Sequence, residues 1–393
     1  MVDKKLFTII ENLEKELIDL FHMFHRNPEL SNEEFETTKE IKRLLEEVNI
    51  EVLDLPLKTG LVAQIKGNPN GPVVAIRCDI DALPIVEETS LSYKSRIKGK
   101  MHACGHDFHT VVVIGVAYLL KKHQGSLIGT IKFIFQPGEE SGDGAEKILA
   151  TGVLDDADVI FGVHNVSDSE VGVMGVKEGA MTAAVDRFEI KITGVGSHAA
   201  KPEKSIDPII ISTNIINALQ TVVSRNISPT DKALLSVTHI ESGNTWNVIP
   251  ETAYIEGTVR TLDDNTRQLI PTRMKSIVEG IAQSYGGNAE LIWHSSSPAT
   301  KNDKEWSDFA AKLGEIMGYD VKKITMGLEG EDFAYYQRKI PGVFIVVGTG
   351  ISEAHHHPEY AVDEKSIIIC SRYFARLAES ALKKIVDKNY SSI

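Results

Sequence analysis

The sequence predicts an α/β protein whose open mixed sheet, with helices on both faces, is interrupted by an inserted βαββαβ unit of the ferredoxin-like kind. Three observations predict this. Strand and helix patterns alternate from Pro72 to Val163. The order changes near residue 185 to β-α-β-β-α-β, and the earlier pattern resumes past residue 293. The chain is 393 residues long, more than one core usually fills. The expected division is therefore 1–184 with 294–393 as one domain and 185–293 as the insertion.

The opening MVDKKLFTIIENLEKELIDLF threads Glu and Asp through apolar positions and reads as an amphipathic helix. A second helix is expected from Ser31, where Glu34 three residues on would complete a capping box, to about Glu47. After the turn Asn68-Pro69-Asn70-Gly71, the apolar run Pro72 to Cys78 reads as a buried strand. A helix over His106–Lys122, a strand over Thr130–Phe135, a helix over Gly144–Leu154 and a strand over Val159–Val163 follow. In the insertion, strands are expected at Asp186–Thr193, Leu234–Ile240, Ala253–Val259 and Ala289–Trp293, with helices at Ile206–Val223 and Thr266–Tyr285. A helix at Trp306–Met317, a strand at Phe344–Val347 and a helix from about Asp363 to Asp387 complete the larger domain.

Forty-two basic residues against 55 acidic ones give a net charge of -13, with no dense Lys/Arg run. Phosphate binding needs a basic footprint, so nucleic acid and anionic membranes are disfavoured partners. No run of about 18 apolar residues suggests a membrane span. The N-terminal segment lacks the unbroken apolar stretch of a signal peptide. Cys78, Cys104 and Cys370 are odd in number and widely spaced, which fits a reducing compartment, so the cytoplasm is expected.

Four segments concentrate metal-type donors, and each is expected near the carboxyl end of a strand, where open α/β sheets bind ligands. Met101-His102-Ala103-Cys104-Gly105-His106-Asp107, preceded by Asp79 and Asp81, sets a thiol, two imidazoles and a carboxylate within six residues. His and Cys also sit inertly in cores, the reading preferred for Cys78 and Cys370. Gln136-Pro137-Gly138-Glu139-Glu140 offers adjacent carboxylates, one able to bind a cation while the other acts as a base. It also reads as an acidic turn before a helix. His164 ends an apolar strand, a position where core histidines are usual. His355-His356-His357-Pro358 is either a surface turn or the source of one more imidazole. Together these segments supply enough ligands for two ions and leave one Glu for base work. Such a site polarises a carbonyl and acidifies bound water.

In order along the chain, RCDIDALP, MHACGHD, FQPGEE, GVHN, GVGSHAAKPEKSIDP, NVIPETAYIEGTVRT, GLEGEDFAYY and HHPEY resemble one group of dinuclear-metal amidohydrolases. The group holds bacterial aminoacylases, hippurate hydrolases, N-acetyldiaminopimelate deacetylases and plant auxin-conjugate hydrolases. It is a branch of the aminoacylase/carboxypeptidase superfamily of metallopeptidases, and the resemblance spans essentially the whole chain. It implies a metallopeptidase-type catalytic domain, an inserted lid and dimerisation domain, a homodimer and two divalent ions per subunit. Zn, Co and Ni suit thiolate plus imidazole, and carboxylate-rich branches use Mn. It implies Cys104, His106, Glu140, His164 and His356 as ligands, His356 because the family's ligand stands two residues before the proline. Glu139 is implied as general base and His198 as a group steadying the oxyanion, from the partner subunit. Asn247 and Arg260 match positions that contact substrate or oxyanion, although Arg260 also reads as one half of a structural ion pair. Asp79, Asp81 and Asp107 are expected to orient ligands.

Distant members commonly carry His where Asp79 stands and a bridging Asp near Cys104. Here a thiolate replaces the carboxylate bridge. The activity implied is hydrolysis of N-acyl amino acids, with a dipeptidase or carboxypeptidase as the alternative on the same metal core. A non-catalytic amino-acid or peptide binder would need a broken ligand set, and none of the five ligand positions is missing.

Overall fold

The structure, a computed structural model, describes residues 4–68, 70–324 and 327–391. Pro69 of the expected turn and the first three residues of the opening helix lie outside the described residues. The described residues form two compact units, one of residues 4–68, 70–179, 301–324 and 332–391, the other of residues 180–300 and 327–331.

In the first unit an eight-stranded mixed sheet runs in the order Glu51–Val52, Leu61–Lys66, Thr130–Gln136, Val73–Asp79, Val159–Val166, Gly342–Gly348, Val173–Gly175, Asp320–Lys322. The four strands from Thr130–Gln136 to Gly342–Gly348 are mutually parallel. Their near-continuous apolar runs are what a strand covered on both faces requires. Val74, Ile76 and Cys78 join a core with Leu17 and Phe21 of the first helix, Val113 of His106–Lys121 and Leu377 of Lys365–Ser391. Arg77 points to the other face, toward Phe333 and Asp332, beside the helices Gly144–Ala150 and Phe333–Gln337. Cys78 and Cys370 are buried free thiols within this packing.

Several local expectations change. The helix expected from Ser31 starts at Phe35, and Glu34 at its N-cap makes no side-chain cap. Ser31 instead donates its hydroxyl to Asp81 at 2.6 Å, so the capping box is not formed. The helix Gly144–Ala150 stops short of Leu154 because the chain turns through Gly152 at φ 71°. The strand Val159–Val166 is longer than expected, which places His164 within it rather than past it. The strands Leu61–Lys66 and Val173–Gly175 were not expected, and both pair with neighbours distant in sequence.

The second unit holds an antiparallel sheet in the order Ala233–Ser242, Thr252–Thr261, Ala184–Thr193, Asn288–Ser295. Its strands alternate: Phe188, Ile190 and Ile192 are buried against Ile215 and Leu219 of Pro208–Asn226 and Met274 and Val278 of Asp264–Ser284. Both helices start on an Asp N-cap, Asp207 accepting from the amide of Ile209 and Asp263 from that of Thr266. Two helices on one face of a sheet ordered 4-1-3-2 make the ferredoxin-like arrangement. No helix among the described residues is long and apolar enough to cross a membrane.

Candidate metal centre

The parallel strands deliver the donors at their carboxyl ends. Asp79 ends one strand and Asp81 follows it, Glu139 and Glu140 stand on the turn after Gln136, and His164 lies near the end of a third. Cys104 and His106 flank Gly105, which caps the helix His106–Lys121 at φ 82°. A Cβ on Gly105 would lie 2.5 Å from Asn165 Oδ1 and 2.6 Å from the Tyr360 hydroxyl, so only glycine lets the loop close over these groups.

The side chains converge in three overlapping groups. One ligand atom each from Cys104, His106 and His164 lie within 4.8 Å of one another, all three residues buried. Cys104, Glu140 and His356 make a second such group, and His106, Glu139 and Glu140 a third. Of the three consecutive histidines, His356 faces Cys104 and Glu140. It has a φ of 66°, unusual for a residue with a side chain, and its amide donates to Ala103 at 2.8 Å. His355 turns instead to Asn165, its Nε2 3.2 Å from the amide nitrogen, and burial pushes it down to about 4.

This donor set fits divalent cations. His106 Nδ1 sits 3.2 Å from the Asp81 carboxylate, and His164 Nδ1 donates to the Asn165 carbonyl at 2.8 Å. Each contact engages Nδ1 and leaves Nε2 as the ring nitrogen free to face a cation. The two Nε2 atoms face the cluster, that of His164 being 3.7 Å from Cys104 Sγ. His106 Nε2 and Glu140 Oε1 are buried, hydrogen-bonded to nothing, and 3.9 Å apart. Glu140 Oε1 is also 3.3 Å from His356 Nε2, outside hydrogen-bonding geometry. Buried polar atoms without partners are rare, and a cation held between the two would satisfy both.

The electrostatics agree. Burial, then Glu140, pushes the Cys104 thiol up to about 12. Burial also opposes a charge on His106, but Asp79, Cys104 and Asp81 outweigh it and hold the ring well above its ordinary value. Burial, then the neighbouring imidazoles of His109 and His355, hold His164 well below its ordinary value. The protons on Cys104 and His106 would have to leave for these two groups to hold a cation.

Around the donors lies a shell that was only partly expected. Asp81 orients His106 and accepts the amides of Glu139 at 3.2 Å and Glu140 at 3.0 Å. Asp79 accepts from His109 at 2.6 Å and from Arg77 at 2.7 Å. Asp107 does not touch a ligand: its oxygens take His25 Nδ1 at 2.6 Å and the amide of Phe108 at 2.9 Å. Neighbours on a helix point about 100° apart, so Asp107 cannot follow His106 into the cluster. Burial disfavours a charged His25, yet Asp107 and Glu87 prevail and push it up to about 9. Sequence reasoning missed Arg77, His109, Asn165 and Tyr360. Arg77 is wholly buried and bridges Asp79, Gln136 and Asp332. His109 was findable, three residues past His106 on the same helical face; Tyr360 is bonded to Asn165 by tertiary contact alone.

Three expected residues belong to the second unit. His198 is exposed on a short ladder pairing Ser197–His198 with Val248–Ile249, and the amide of the next residue, Ala199, bonds the Asn247 carbonyl at 3.0 Å. His198 Nδ1 accepts from the amide of Ala200 at 3.0 Å, which makes Nε2–H the outward donor. Arg260 stands apart on Thr252–Thr261, half-buried, its Nη1 without a hydrogen-bond partner.

The model of peptidase family M20/M25/M40 matches residues 75–380. An N-acetylcysteine deacetylase of Bacillus subtilis is 49% identical over 386 residues, 98% of this chain and 100% of that protein. Thermostable carboxypeptidase 2 of Saccharolobus solfataricus is 36% identical over 95% of this chain and 98% of its own length. A Bacillus subtilis crystal structure, described as a dinuclear metal binding peptidase from the M20 family, superposes with a TM-score of 0.87 at 46% identity. It covers 95% of this chain and 99% of that one.

Proposed function

The chain belongs to peptidase family M20/M25/M40, and from that premise we propose that it hydrolyses the amide bond of N-acyl amino acids at a two-metal centre. The observation that carries this is Cys104, shared between two triads of donors with Glu139 beside them. Similarity to an N-acetylcysteine deacetylase supports the acyl amino acid as substrate. Cys104, His106, Glu140, His164 and His356 would hold the ions, which supply carbonyl polarisation and acidify water. Glu139 takes the proton of the attacking water and returns it to the leaving amine. His198 presents its Nε2–H to the developing oxyanion, from the partner subunit, with Asn247 on the same turn. Arg260, with an unused N–H, supplies the fork for the substrate carboxylate. Residues 1–184 and 294–393 act as the catalytic domain and 185–293 as lid and dimerisation domain.

Similarity to a carboxypeptidase favours peptide cleavage as a second reading. Stripping the protein with a chelator, reloading it singly with Zn, Mn, Co or Ni, and assaying N-acetyl and N-benzoyl amino acids beside dipeptides separates the two. We expect the N-acyl amino acids to turn over faster. Faster dipeptide cleavage would transfer the assignment, and inactivity with every metal would remove both.

The homodimer draws support from the edge strand Ala233–Ser242, which pairs on one side only and exposes Leu234 and Ile240. Light scattering should return twice the chain mass at micromolar concentration; a monomer would leave His198 no partner site to serve. A cytoplasmic location fits the three free, buried cysteines.

A further inference from the structure

The turn that carries Glu139 and Glu140 runs past the end of its strand, where its amides have no ladder to join. Two buried carboxylates take three of them in succession. Gly138 N–H donates to Glu34 Oε1 at 2.8 Å, Glu139 N–H to Asp81 Oδ1 at 3.2 Å, and Glu140 N–H to Asp81 Oδ2 at 3.0 Å. Glu34 is fully buried and lies 104 residues from Gly138 in sequence. The same Oε1 accepts the amide of Asn32 at 2.8 Å, and Asn32 has a φ of 65°. Asn32 Nδ2 in turn donates to Ser141 Oγ at 3.0 Å, on the far side of the turn. A Cβ on Gly138, itself at φ 61°, would sit 2.9 Å from Asn32 Oδ1, so the two backbones are pressed together. Ser31 completes the grip through Asp81. Residues 31–34 thus form a saddle on which the catalytic turn rests, which is why their apparent capping box goes unused.

We propose that Glu34 is a positioning residue for the reaction: it fixes the Gly138–Glu139 peptide and thereby aims the Glu139 carboxylate. The inference rests on reading Glu139 as the base. A buried amide must find an acceptor, so without Glu34 the peptide would rotate toward another one and swing the next side chain with it. A displacement of about 1 Å lowers turnover by about 10²-fold.

The test compares Glu34→Ala, Glu34→Gln and Glu34→Asp, each saturated with metal and checked for parental metal content. Glu34→Ala should lose about 10²-fold in kcat with KM within about threefold of the parent. Glu34→Gln keeps an acceptor oxygen in the same place and should restore kcat to within about threefold. Glu34→Asp keeps the charge but withdraws the acceptor by one carbon. It should lose about tenfold, and it decides the matter if Glu34→Ala does not fold. Parental kcat in Glu34→Ala or Glu34→Asp overturns the proposal, as does an equal loss in Glu34→Gln, which would point to charge rather than an acceptor. Glu139→Gln, run beside them, isolates the premise: turnover surviving there removes the base while leaving the Glu34 comparison to be read on its own.

Discussion

Replacing Glu139 by Gln lowers kcat by about 10³-fold, with metal content as in the parent protein. The side chain stands in one group with His106 and Glu140, and its backbone is anchored by Asp81. Gln is the same size, so the turn, the shell and the other donors persist, and only the proton acceptor is gone. Replacing Glu140 by Gln behaves differently. Its Oε1 is a buried atom with no hydrogen-bond partner, and an amide there weakens the hold on a cation, so activity returns as metal concentration rises. Steady-state hydrolysis of an N-acetyl amino acid, with metal quantified by elemental analysis, tells the two apart. Undiminished turnover in metal-loaded Glu139→Gln would take the base role from this residue.

Cys104→Ala has the second large effect, a loss of metal affinity beyond about 100-fold, because Cys104 is shared by the group with His106 and His164 and the group with Glu140 and His356. His164→Ala, which touches one triad, loses less. The same chemistry sets the pH dependence. Burial holds the metal-free thiol up at about 12, and Asp79 and Asp81 keep a proton on His106 well above its ordinary value. Both protons are therefore present near neutrality and both leave on binding. Acid favours the empty, protonated site, and affinity should rise by about 100-fold per pH unit around neutrality, one tenfold factor per proton released. Competition against a chelator with known proton affinity measures the slope. A pH-independent affinity would mean that neither group loses a proton to the metal. Cys104→Ala should also flatten the slope to one proton.

Much of this was legible in residue order. Strand and helix periodicity depends on neighbours a few positions apart, and the alternation through the first unit and the βαββαβ order of the second are both in the structure. Donor chemistry is also local: a thiol, imidazoles and paired carboxylates near strand ends mark out the convergent region before any coordinates. Where expectation failed, a local rule lost to a distant partner. Ser31 and Glu34 have the spacing of a capping box, yet Asp81 and Gly138 bind them instead. Asp107 neighbours a ligand in sequence, yet His25 takes its carboxylate.

By itself, then, the sequence determined the class of fold, the kinds of donor and the family, since these follow from patterning and motif order. Only the tertiary structure decided which atoms meet: that Glu140 lies between His106 and His356, that His106 and His164 turn Nε2 to the cluster, and that Arg77 and His109 brace Asp79. The reason is geometric. Hydrogen-bond partners and lone-pair directions depend on which strands lie side by side, and residues tens of positions apart carry no mark of that in their own order.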